Sequence, residues 1–266
     1  VIALVIVGSL VAVAVWELCR PRRRREFPAV ARRLANLGMW LANLALAALF
    51  FAPADTFRAQ FETIFGIELP RWPIANPLAG FVAAFLLLDL LIYLVHRCQH
   101  AVPWLWRLHA LHHSDPDVDV TTSVRHHPFE YLLATAVYWL TTVVFGLPMA
   151  AVTGHALVVF AAAALTHGNI RLPQPVERWL QPVVITVDLH LVHHSIVPAE
   201  YNANFGGVLS VWDRMFGTYL ALPRGKVTDL RFGVAALPRT DGIKPWAMLA
   251  TPWRLGRRAR RAPVAG

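Results

Sequence analysis

An all-α, multi-span transmembrane bundle of four to five helices, capped by a histidine-rich metal-binding layer, follows from three observations. The chain of 266 residues is 56% hydrophobic and only 15% charged, whereas a soluble domain carries nearer a quarter charged residues. Its apolar residues sit in long runs, giving a mean hydropathy of +0.47 and the pattern of membrane helices. Its twelve histidines gather between and after those runs, twice as His-x-x-His-His.

The first run covers residues 1–16 and is followed, not preceded, by arginines. A cleaved signal peptide has its basic residues first, so this run, short for a span in a chain that does not begin with Met, reads as a retained anchor. The second run is 34–52 and the third 77–95. After a polar stretch come 131–147 and 151–165, joined by "GLPMA", where Gly146 and Pro148 predict a tight turn between antiparallel helices. Nothing beyond Thr166 is long enough to span.

The net charge of +9 comes largely from two clusters, seven arginines between Arg20 and Arg33 and five between Arg254 and Arg261. Both flank apolar segments, which reads as a cytoplasmic membrane edge rather than a nucleic-acid face. With Arg20–Arg33 in the cytoplasm, residues 53–76 form an outer loop and 96–130 return inside. Everything after Thr166 then lies inside as well, and all histidines but His155 share one side. The division expected is an anchor and hairpin over 1–76, a catalytic domain over 77–222 and a basic tail over 223–266. Cys19 and Cys98 form no C-x-x-C and imply no disulfide framework.

The histidines carry the chemistry. In "HRCQH", His96 and His100 are four apart and share one helical face. The second box is His109, His112 and His113; the third is His190, His193 and His194. Adjacent residues diverge by about 100° on a helix, so each doubled histidine suits two metals, one ring to each. The three boxes supply eight imidazoles, enough for two metals of roughly four nitrogen ligands each. His167 in "THGNIRLP" is a further ligand candidate and His127 in "RHHPFE" another, with His126 a neighbour lacking a role. His155, near the outer end of its run, is expected far from the site. Asp89, Tyr93, Asn169 and Asp188 are expected beside the ligands. An aspartate inside a membrane run is costly, and Asp89 is expected to accept a hydrogen bond from a ligand's second nitrogen.

Other chemistries fit less well. No H-E-x-x-H supplies a metalloprotease's base, no E-x-x-H supports a carboxylate-bridged four-helix site, and Ser114 and Ser195 read as helix-end hydrogen-bonders. A metal transporter or binding module needs ligands strung along a path through the spans, whereas these stand at one level. A haem protein needs isolated histidines on facing helices. Two redox metals held by imidazoles point to iron and O2, which together attack C–H bonds that side-chain acids and bases leave untouched.

The segments "DLLIYLVHRCQH", "WRLHALHHSDPDVDVTTSVRHHPFE", "LTHGNIRLP" and "DLHLVHHS" resemble the fatty acid hydroxylase/sterol desaturase superfamily. The resemblance covers about residues 80–220. It implies a non-haem di-iron, O2-dependent oxidoreductase acting on a lipid or sterol by hydroxylation or desaturation, with zinc as a substitute in isolated protein. It carries the ligand role to His96, His100, His109, His112, His113, His190, His193 and His194, and further to His167 and His127. Asn202 and Phe205 depart from the closing motif, where Asp and often Tyr are expected. No H-P-G-G haem signature is present, which implies a separate electron-transfer protein as donor.

Overall fold

Five helices long and apolar enough to cross a membrane stand where the five apolar runs were read. The computed structural model describes residues 2–259 and contains no strand among them, only two isolated β-bridges. The helices are α1 (Ile2–Cys19), α2 (Ala29–Phe50), α3 (Ala54–Phe65), α4 (Pro77–Ala101), α5 (Pro103–His113), α6 (Pro128–Phe145) and α7 (Met149–His167). Short helices build the cap: α8 (Gln174–Leu180), α9 (Val187–His193), α10 (Pro198–Tyr201), α11 (Val211–Met215), α12 (Arg224–Thr228), α13 (Pro245–Leu249) and α14 (Thr251–Ala259).

Local chemistry sets the boundaries that matter for the site. Asn76 caps α4, accepting from the Ala79 amide at 3.0 Å, and Pro77 fills the first helical position, where its missing N–H costs nothing. The helix continues through "HRCQH" to Ala101 and stops because Pro103 cannot extend it. The single residue Val102 therefore separates the helix carrying His96 and His100 from α5. At the predicted turn, Gly146 is left-handed at φ 60°, and a side chain there would meet the Pro70 carbonyl at 2.5 Å.

Two readings change. Residues 53–76 are not only a loop: they contain α3, whose Phe57, Phe61 and Phe65 recur every four residues. Phe57 packs edge-on against Trp139 of α6 with ring centroids 4.7 Å apart. The arginine cluster is not simply a solvated flank either. Arg32 lies within α2, fully buried, and pairs with Asp115 at 2.8 Å and with Asp119. Asn36, one turn further along α2, donates to Asp115 and to Thr121 and accepts from Arg125 at 2.8 Å.

A polar layer thus lies beneath the histidine boxes, and α1 joins it. Glu17 accepts from the amides of Val120 and Asn169, each at 2.8 Å, and from Arg33 at 2.7 Å. Buried charge survives only when paired and hydrogen-bonded, and here every carboxylate has several donors. Apolar packing holds the rest. Val13 of α1 meets Ala164 of α7 beside Val120, while Ala84 and Leu88 of α4 meet Ala151 and Val152 of α7. In the cap, Ile170, Val187, Val192, Val227 and Phe232 form one buried cluster. Residues before 77 and after 222 therefore pack directly under the boxes, with Met248 of α13 against Arg125.

Candidate metal centre

The four histidine-bearing segments converge from different directions. His96 and His100 descend at the end of α4. His109, His112 and His113 line α5. His167 ends α7, and His190, His193 and His194 stand on α9 and its C-terminal cap. Their ring nitrogens form two groups, within each of which the possible ligand atoms lie no more than 4.8 Å apart. The first holds His96, His100, His109, His113 and His193; the second holds His112, His167, His190 and His194. Each doubled histidine is divided between them, His113 and His193 facing one group and His112 and His194 the other.

The spacing is that of donors around a cation. In the first group the His109 Nε2 lies 3.1 Å from His96 Nε2 and 3.2 Å from His113 Nε2. In the second, His167 Nε2 lies 3.1 Å from His112 Nε2, 3.0 Å from His190 Nε2 and 3.1 Å from His194 Nε2. A neutral imidazole has one N–H to give, so several Nε2 atoms converging on one another do not satisfy each other. Metal–nitrogen bonds of about 2.0–2.1 Å place neighbouring donors about 3.0–3.4 Å apart, which matches.

The opposite ring nitrogens fix the tautomer. His96 Nδ1–H donates to the Phe205 carbonyl at 2.9 Å, His193 Nδ1–H to Ala203 at 2.7 Å and His167 Nδ1–H to Ala163 at 2.7 Å. His112 Nδ1–H reaches the Arg125 carbonyl at 3.3 Å, and His109 Nδ1–H donates to Glu130 Oε1 at 2.7 Å. Each such bond leaves Nε2 bare for a ligand's role. His193 Nε2 and both nitrogens of His100 have no hydrogen-bond partner although buried; metal coordination would relieve His193 Nε2 and one nitrogen of His100. Burial, together with the neighbouring imidazoles, holds His112, His113, His190, His193 and His194 well below the usual histidine range. They are neutral at pH 7, as ligands must be. The donor set therefore fits two divalent first-row metals.

Several expected neighbours stand elsewhere. Asp89 touches no ligand histidine. It accepts from the Val208 and Leu209 amides at 3.2 Å each and from Trp212 Nε1 at 2.8 Å, pinning the segment after Phe205 to α4. Tyr93 bonds Thr218 at 2.9 Å and packs edge-on against Phe205, which itself receives the His96 bond. Asn169 clasps the backbone of Arg23, accepting and donating at 3.0 Å, and Asp188 pairs with Arg22. His127 belongs to neither group. It caps α6, accepting from the Phe129 amide at 3.2 Å, and its Nε2 meets the Leu249 carbonyl at 3.3 Å. Ser114 and Ser195 hydrogen-bond at helix ends as expected.

Three residues were missed. His126, not His127, turns inward, stacking on His112 at 4.8 Å with rings 7° from parallel. Glu130 places a buried carboxylate between His109 and His126, the latter at 3.1 Å, so the site is not all imidazole. Asn204, at φ 58°, binds the carbonyls of Leu189 and Leu220 and receives the Leu220 amide, bracing α9 against the closing segment. The capping spacing His127-Pro128-x-Glu130 was the one signal that pointed at Glu130.

Above both groups an apolar cavity of about 440 Å³ opens between α2, α4, α6 and α7. His96, His109, His112, His167 and His190 form its floor, and Trp40, Leu91, Val137, Val159 and Phe160 are among its walls.

The family model for fatty acid hydroxylase matches residues 81–218, which covers every histidine of both groups. The chain belongs to the fatty acid hydroxylase family. This family member is similar to an ornithine lipid hydroxylase of Rhizobium tropici, 32% identical over 160 residues, 60% of this chain and 46% of that protein. It is similar to the alkylglycerol monooxygenase of Homo sapiens, 27% identical over 150 residues, 52% of this chain and 30% of that protein. It also matches the cholesterol 25-hydroxylase of Rattus norvegicus, 24% identical over 207 residues, 75% of this chain and 65% of that protein. The chain thus spans less than half the length of the first two relatives. No solved structure matches it. Its named relatives are hydroxylases and monooxygenases, and the superfamily expected from the histidine boxes is the one found.

Proposed function

We propose that this chain is a membrane-bound non-haem di-iron oxygenase that hydroxylates, or desaturates, a C–H bond of a lipid or sterol. The observation that carries the reading is a juxtaposition: two groups of imidazoles floor an apolar cavity walled by membrane helices. The relatives' names add that such chains oxidise lipids and sterols.

His96, His100, His109, His113 and His193 would hold one iron, and His112, His167, His190 and His194 the other. Bound iron supplies the one-electron chemistry and O2 activation that no side chain offers. The protein's own part is position and exclusion. Carbonyls of Phe205, Ala203, Ala163 and Arg125 hold five rings in register together with Glu130. The apolar walls keep water from the reacting carbon. Hydroxylation consumes O2 with two electrons and two protons, releasing water, so a separate electron-transfer protein is the expected donor. The basic flanks support a cytoplasmic cap in this reading, with the lipid entering from the bilayer. Residues 77–222 are the catalytic domain in this reading, with 1–76 and 223–266 as its membrane and basic flanks.

The test is incubation of the iron-loaded protein with a chemical reductant, heavy-isotope O2 and a total lipid extract. One lipid species gaining a single heavy oxygen atom supports hydroxylation. A species losing two hydrogens without gaining oxygen supports desaturation; neither change with both iron groups filled would overturn the reading, and His193→Ala is the matched control.

A further inference from the structure

We propose that the stacked rings of Trp106 and Tyr201 are the electron port of the first histidine group, the place where an acidic one-electron carrier protein touches the chain. The proposal rests on the oxygenase reading, which needs electrons from outside. It says where on this chain they enter.

The cavity floor takes His96, His109, His112, His167 and His190, whereas His100, His113 and His193 do not line it. Substrate space therefore leaves part of the first group facing another way. There Trp106 of α5 packs on two of the three, its ring centroid 4.9 Å from that of His100 and 5.4 Å from that of His113. Helical spacing brings this about, since positions 106, 109 and 113 are three and four apart along α5 and share a face. Tyr201 of α10 stacks on Trp106 at 5.1 Å with the rings 10° from parallel. It lies 6.1 Å from His100 and 6.5 Å from His113. Both rings of the stack are half-buried, while His113 is buried. The pair is thus a ring-on-ring path from solvent to a buried ligand. α10 is also tied to the third box: the Val197 amide donates to Ser195 Oγ at 3.1 Å, that hydroxyl donates to Glu200, and Ser195 follows His194.

Charge names the partner. Trp106 packs against Leu237 and against Leu255 of α14, and a side chain at Gly256 would meet the Arg107 guanidinium at 3.1 Å. Arg107 therefore lies against the backbone next to Arg257, which is exposed on α14. Arg254 is neutralised by Asp241, and Glu200, beside Tyr201, is engaged by Ser195. A basic rim around an aromatic contact suits an acidic carrier, which the field steers toward it. Electron-transfer encounters of this kind use small interfaces, in keeping with a contact centred on two rings. Each O2 consumed takes two electrons, one from each of two reduced carriers, which leave oxidised. The electrons return the iron held by the histidines from ferric to ferrous. No bond in Trp106 or Tyr201 forms or breaks; their rings shorten the gap the electron crosses.

The experiment mixes the full iron-loaded chain, ferric, in lipid nanodiscs and without air, with reduced plant-type ferredoxin, an acidic iron–sulfur carrier at about −400 mV. Stopped flow follows the ferredoxin's own absorbance. Dithionite, which needs no docking, is the control reductant. Reduction of the wild type by ferredoxin should slow steeply as salt rises, and Arg107→Glu should remove most of that dependence. Trp106→Leu and Tyr201→Leu should slow ferredoxin several-fold with iron content and the dithionite rate kept, and Trp106→Phe should restore part of the loss. A pair that only packs α5 against α10 would change iron content, or slow both reductants alike. Ala199→Glu, an exposed change two residues from Tyr201, should slow ferredoxin about tenfold at low salt. It decides if a stack variant fails to fold. The proposal is overturned if dithionite reduces the wild type and ferredoxin does not, or if the wild-type rate ignores salt. It is equally overturned if Trp106→Leu or Ala199→Glu accepts electrons from ferredoxin as fast as the wild type. Reduction through the stack with no lipid oxidised overturns the oxygenase reading alone; iron that dithionite fails to reduce overturns both.

Discussion

Arg32 of α2 donates to Asp115 at 2.8 Å with neither side chain exposed, and that aspartate stands two residues beyond the His112–His113 pair. The same carboxylate oxygen accepts from Asn36 and Thr122. A membrane helix thereby grips the end of the second histidine box. Arg32→Ala leaves Asp115 and Asp119 as buried carboxylates short of a partner, and such a loss costs about 3–5 kcal/mol. Thermal unfolding in detergent should show a large drop. The double variant with Asp115→Ala should fall well short of the sum of the two single effects.

His193→Ala and His194→Ala should each remove about half of the bound metal, because one ring belongs to each group and each group is proposed to take one ion. Metal analysis of the purified variants checks this, and spectra of the remaining ion should differ between the two. Loss of both metals from each variant, or of none, would contradict the two-group arrangement.

Glu130→Ala takes the acceptor from His109 Nδ1–H without removing a ligand. Outer partners of this kind are worth roughly 10–100-fold in metal affinity. Competition with a chelator should show that weakening, with the metal count at saturation unchanged.

His127→Ala should keep full metal content despite the histidine's place in the "RHHP" string. Its ring accepts from the first turn of α6, so the expected effect is a loss of about 1 kcal/mol of stability from a missing cap.

His126 and His127 show where sequence reasoning reaches its limit. The spans, the three boxes and the division of each doubled histidine were legible because they depend on local periodicity alone: apolar run length and about 100° per residue. Which of two adjacent histidines turns inward after a non-helical stretch depends on Pro128 starting α6 and on the cap geometry it imposes. Asp89 was legible as a costly buried charge. Its partners, Val208, Leu209 and Trp212, lie some 120 residues later and left no periodic trace. The burial of Arg32 was hidden for the same reason, since Asp115 and Asp119 look like ordinary loop acids until α2 docks on them. Helix α3 escaped notice because it is too short to span.

The paired histidines have a mechanical corollary. His112 and His113 are joined by one peptide unit, and so are His193 and His194, yet each pair reaches into two compartments. The separation of those compartments is thus tied twice to covalent chain, at α5 and at the end of α9, rather than left to how tightly lipid-bathed helices happen to pack. Thermal breathing of the bundle can widen the cavity above without stretching the gap between the two imidazole groups below.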